Sequence, residues 1–109
     1  MSDFGSSVFV ELWVSLASLL RSYTAAHGLN GNRQATVELG EERITVRHGD
    51  AWLDLKRRDA IVTWLRENGR SGTLELTQAG QLRTIESNGE AVEEEMDMAA
   101  ESWARELMQ

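Results

Sequence analysis

Asp59-Ala60-Ile61-Val62-Thr63-Trp64-Leu65-Arg66-Glu67 is the stretch whose reading decides the fold. As a helix it would be capped by Asp59 and would turn Ile61, Trp64 and Leu65 inward. As a strand it supplies Ile-Val-Thr-Trp, a run of β-branched and aromatic residues that suits a pleated, half-buried surface. The strand is the preferred reading. A hairpin centred on Arg58 then sets Trp64 directly across from Trp52 as a cross-strand aromatic pair.

Upstream, three short alternating runs lead into it. Ala35, Val37 and Leu39 alternate with Thr36 and Glu38, and Gly40-Glu41-Glu42 turns the chain. Ile44 and Val46 alternate with Arg43, Thr45 and Arg47; after Gly49-Asp50, Leu53 and Leu55 alternate with Trp52, Asp54 and Lys56. A period of two puts the aliphatic residues on one face and Thr, Arg, Glu and Asp on the other. Downstream, Asn68–Gly72 reads as a turn, Leu74 and Leu76 alternate again, Ala79-Gly80 turns, and Gln81–Glu86 makes a last strand.

Helices bracket this meander. From about Ser6 to His27, Phe9, Leu12, Trp13, Leu16, Leu19, Leu20 and Tyr23 share one helical face, with Ser6 or Ser7 as cap and Gly28 placed for a left-handed C-terminal cap. Val10, Val14 and Ala17 widen the apolar surface to roughly twice the ~100° stripe that a sheet covers, so something besides the sheet is expected on that flank. The closing helix is expected from a capping box at Ser87 and Glu90, with Val92, Met96, Ala99, Ala100, Trp103 and Leu107 on its apolar face. The expected fold is α+β: one domain over residues 1–109, with an antiparallel meander of five to six strands and N- and C-terminal amphipathic helices packed on one face.

Composition narrows the function classes. The 109 residues contain no cysteine, which excludes disulfides and thiolate chemistry and suits a reducing compartment. The apolar run Val8–Leu20 contains Glu11, follows Asp3 and meets Arg21 only afterwards, unlike a secretory leader or a membrane span; a cytoplasmic protein is expected. The net charge is −7. Residues 33–70 are nearly neutral, while 86–109 hold eight acids against Arg105 alone. That acidic end repels a phosphate backbone and argues against nucleic acid.

No motif points to chemistry. His48 and Asp50 have no third partner at metal-ligand spacing. Adjacent acids in Glu93-Glu94-Glu95-Met96-Asp97 diverge on a helix and cannot converge on one cation. Gly69-Arg70-Ser71-Gly72 lacks the lysine of a phosphate loop. No catalytic, cofactor-binding or metal-binding residue is therefore assigned, and no cofactor is expected. Arg43, Arg47, Lys56, Arg57 and Arg58 form a basic patch on the open sheet face, interleaved with Glu38, Asp54 and Glu75, where cross-strand ion pairing is the simpler account. Trp52 falls among them by alternation, although a lone Trp has little structural reason to be on a polar face.

The expected function is a non-enzymatic protein-interaction module, acting on a protein partner or as a homodimer, with Trp52, Trp64, Arg43, Arg47, Val10 and Val14 as the partner-binding residues. A small-molecule binder or enzyme is the rival, with a pocket between helices and sheet to which Tyr23, His27, His48 and Thr63 would bring polar groups. Were 59–67 helical, the order would be helix, three strands, helix, two strands, helix. That order, with small size and acidity, resembles the class I chaperones of type III secretion. The resemblance spans the chain and rests on element order; it implies a dimer that wraps an extended partner segment.

Overall fold

The computed structural model describes residues 4–27, 35–85 and 91–108. Helix α1 (Phe4–His27) precedes seven strands: β1 (Thr36–Leu39), β2 (Arg43–His48), β3 (Ala51–Arg58), β4 (Ile61–Arg66), β5 (Ser71–Leu76), β6 (Gln81–Ile85) and β7 (Ala91–Glu95). Helix α2 (Met96–Leu107) follows without a loop. The strands form one antiparallel sheet in chain order, β1 to β7. This is the α+β meander with terminal helices, and it has seven strands rather than five or six.

Alternation decides which face is covered. Ile44, Val46, Leu53, Leu55, Val62, Leu74, Leu76 and Leu82 point to one side and are buried beneath α1 and α2. From α1 come Trp13, Leu16, Ala17 and Leu20, and from α2 come Met96, Ala99, Ala100 and Leu107. Each large aliphatic buried this way contributes ~1.5–3 kcal/mol. Helix α1 packs chiefly on α2 and β1, while α2 reaches β3, β6 and β7. His27 Nε2 lies 2.7 Å from Glu101 Oε2, tying the end of α1 to α2. The result is a slab with extents of 48 × 32 × 19 Å, two layers thick, whose second sheet face carries no helix among the described residues.

The stretch at 59–67 is a strand, but its register differs from the hairpin centred on Arg58. The turn falls at Asp59-Ala60, with Asp59 at φ 55°, so Arg58 pairs with Ile61 and Leu55 with Trp64. The offset is an odd number of residues, which moves every side chain to the other face. Trp64 therefore lies under the helices with its ring centroid 6.4 Å from that of Trp103, and the Trp52–Trp64 pair is not made. With β4 a strand, the element order that carried the chaperone resemblance is not the order of this chain.

A second difference lies at the C-terminal side. Ala91–Glu95 is a strand, not the start of the last helix, and Val92 is 55% exposed on it. Three consecutive glutamates favour a helix locally, but the pairing of β7 with β6 overrides that preference. Arg83 faces Glu93, and Gln81 Nε2 donates to Glu95 Oε1 at 3.0 Å. Charged side chains on an edge strand also oppose edge-to-edge association. Helix α1 starts at Phe4, ahead of Ser6 and Ser7, so neither is its cap. The expected caps Gly28, Ser87 and Glu90 lie outside the described residues.

Candidate functional site

Three surfaces carry the candidate residues. The first is a groove of about 510 Å3 between the flank of α1 and the β1–β2 turn. Val10 (47% exposed), Val14 (45%) and Leu39 (37%) leave large apolar side chains in water along it. Trp13 forms its floor, buried, with Nε1 donating to the Gly40 carbonyl at 3.1 Å. The Arg57 guanidinium lies 5.8 Å from the Trp13 ring centroid, in cation–π range. It donates to the carbonyls of Asp59 and Glu41 at 2.9 and 3.3 Å, while its buried Nε has no partner among the described residues. Glu41 and Glu42 form the acidic rim. Ala17, expected on the same flank, is instead fully buried.

The second surface is the open face of the sheet. A concavity of about 600 Å3 there is lined by Arg43, Arg47, Trp52, Asp54 and Leu65 among others. Asp54 is nearly buried although it is on the uncovered face, because Arg43 closes over it with two bonds, at 2.7 and 3.1 Å, and Thr45 Oγ1 donates at 3.2 Å. The same contact raises the Arg43 pKa above its ordinary value. Trp52 is half-buried and stands opposite Arg47. Arg57 does not belong to this basic patch: it points to the helix side, over Trp13.

The third is a cleft of about 160 Å3 between α2 and strands β4–β7, lined by Trp64, Trp103, Thr84, Glu94 and Glu106 among others. Its wall depends on a glycine. A Cβ on Gly72 would lie 2.8 Å from Trp64 Cε2, so the indole occupies space that only glycine leaves free on β5. Gly72→Ala is expected to push the ring into the cleft. The expected cost is about 1–2 kcal/mol, in the lower part of the overpacking range because the cleft gives the ring room. Urea denaturation checks the loss, and a shifted tryptophan emission checks its cause.

The polar groups expected to share a pocket do not converge. Thr63 is on the open face, His27 is engaged with Glu101, and His48 Nδ1 is 3.1 Å from the Leu107 carbonyl. Among the described residues, no three His, Asp or Glu side chains are grouped to hold a metal.

Sequence reasoning missed Arg66. It is 6% exposed, on the helix side of β4, and fastens α2 to the sheet. Its Nε donates to the Trp52 carbonyl and to Glu67 at 3.1 Å each, and its two terminal nitrogens donate to Glu106 at 2.9 Å and Glu67 at 3.2 Å. Glu67 also accepts the Trp52 backbone N–H at 3.0 Å. That bond is the main reason the Glu67 pKa lies below its ordinary value; burial opposes it, and Arg66 assists to a lesser degree. The signal for Arg66 was parity: it shares a face with Val62 and Trp64 once the turn is fixed.

No helix among the described residues is long and apolar enough to cross a membrane. Comparison with family models, curated proteins and solved structures finds no match for this chain.

Proposed function

We propose that this chain is a non-enzymatic, cytoplasmic protein-interaction module whose α1 groove takes a segment of a partner protein that is both apolar and basic. The supporting observation is the groove itself, where Val10, Val14 and Leu39 stay exposed beside Glu41 and Glu42. Burying those side chains favours an apolar partner, and the acidic rim favours lysine or arginine at its edge. The small-molecule reading has less support, because none of Tyr23, His27, His48 and Thr63 lines either the α1 groove or the cleft between α2 and the sheet.

Selecting a displayed random-peptide library on the protein, with Val14→Glu as the counter-target, tests the groove. Val14 is half exposed, so the variant is expected to keep wild-type stability. Selected peptides are expected to combine aliphatic with Lys or Arg residues and to bind the variant at least about tenfold more weakly, a loss of about 1.4 kcal/mol. A selection without enrichment, or peptides that bind both proteins equally, would overturn the proposal.

A further inference from the structure

We propose that the open face of the sheet is where two copies of this chain meet, face to face, about a two-fold axis running along β4. The inference uses a surface separate from the α1 groove and goes beyond a partner bound there.

The arrangement follows from how the face is divided. Strand β4 is the fourth of seven, and it carries two exposed large apolar side chains on this face, Ile61 (38% exposed) and Leu65 (42%), with Trp52 of β3 lining the same concavity as Leu65. On the β1–β3 side, the cations Arg43, Arg47, Lys56 and Arg58 outnumber the carboxylates Glu38 and Asp54. On the β5–β7 side the balance reverses, with Glu75, Glu93 and Glu95 against Arg83. An apolar midline thus separates a basic half from an acidic half.

A two-fold axis along the midline, between two facing sheets, exchanges the halves. The basic half of each copy then covers the acidic half of the other, while Ile61 meets Ile61 and Leu65 meets Leu65 of the second copy. A two-fold axis across the strands would set like charge on like, so the pattern selects one orientation. Isologous contact is the commonest way for a soluble chain to pair, and two sheets stacked ~10 Å apart bury such faces well. The face lies within extents of 48 × 32 Å, room for the roughly 800 Å2 per partner of a standard interface. A long nucleic acid would follow the basic half and meet repulsion on the acidic half.

Sedimentation equilibrium at roughly 50 μM, where a micromolar Kd leaves most copies paired, tests the assignment. The wild type is expected at the mass of a pair, and Leu65→Glu, which sets two carboxylates against each other at the axis, at the mass of one chain. The doubly reversed Arg47→Glu/Lys56→Glu and Glu93→Lys/Glu95→Lys proteins are each expected to be monomeric alone. Mixed one to one they are expected to pair, because each then offers the charge that the other lacks. Val14→Glu is expected to stay dimeric, so the groove and the sheet face fail or stand separately. A monomeric wild type overturns the inference, as does a dimer indifferent to Leu65→Glu. Two charge-reversed proteins that stay monomeric when mixed also overturn it. So does a monomer whose tryptophan fluorescence is quenched by oligo-dT and whose quenching is lost in Arg47→Glu, since that reassigns the face to nucleic acid.

Discussion

Trp13→Ala is expected to lower the free energy of unfolding by about 3–5 kcal/mol, the range for removing a large aromatic from a packed core. Trp13 is 1% exposed and lies where three parts of the fold meet. It sits on the buried face of α1, its Nε1 holds the Gly40 carbonyl at the β1–β2 turn, and Arg57 of β3 rests over its ring. Truncation opens a cavity, frees the Gly40 carbonyl to water and leaves Arg57 without its aromatic partner. Trp13→Phe separates these effects. It keeps most of the volume and an aromatic face but loses the indole N–H, so about 1–2 kcal/mol of loss is expected. Urea denaturation of both variants checks the pair; equal losses would mean that the hydrogen bond, not the volume, holds α1 to the sheet. A small domain has roughly 5–15 kcal/mol of stability in all, so the alanine variant is expected to sit near its unfolding threshold.

The covered face was legible because it rests on period-two alternation. Ile44, Val46, Leu53, Leu55, Leu74 and Leu76 are buried where the pattern puts them, and Leu16 and Leu20 lie on the helix face that meets them. Register was not legible to the same degree. A hairpin turn at Arg58 and one at Asp59-Ala60 fit the same composition, yet they put Trp64 on opposite faces; only Asp59 adopting the left-handed region distinguishes them. Strand β7 was hidden for a different reason. Its Glu-rich sequence and the i, i+4 spacing of Val92 and Met96 match a helix, and its strand form depends on pairing with β6. The groove beside Val10 and Val14 was half legible: the excess apolar width of α1 was visible in the sequence, whereas Leu39, Glu41 and Glu42 join it only through the β1–β2 turn.

Arg66→Ala is expected to cost about 2–4 kcal/mol and to loosen α2 from β4. Removing one partner of a buried ion pair ordinarily costs about 3–5 kcal/mol because a charge is stranded. Here the Glu67 and Glu106 side chains are 28% and 41% exposed, so water takes up part of the loss. The Trp52 carbonyl loses a donor as well, which a buried acceptor feels at about 1–3 kcal/mol. Arg66→Met keeps the apolar stem and is expected to lose less than Ala, whereas Arg66→Lys keeps the charge but cannot span Trp52, Glu67 and Glu106 together, since only the guanidinium presents a planar fork. Denaturation at neutral pH ranks the three variants, and a lysine variant as stable as wild type would refute the geometric account. The pH dependence supplies a second check. Glu67 has a folded pKa below its ordinary value of 4.5, so its contribution is present in full above that value and is lost as pH falls through the lower, folded one. Because the Trp52 N–H is the larger cause and Arg66 the smaller, Arg66→Ala is expected to make that acid loss shallower without abolishing it. Glu67→Gln is expected to remove it altogether, and an acid profile unchanged in Glu67→Gln would show that some other carboxylate carries the dependence.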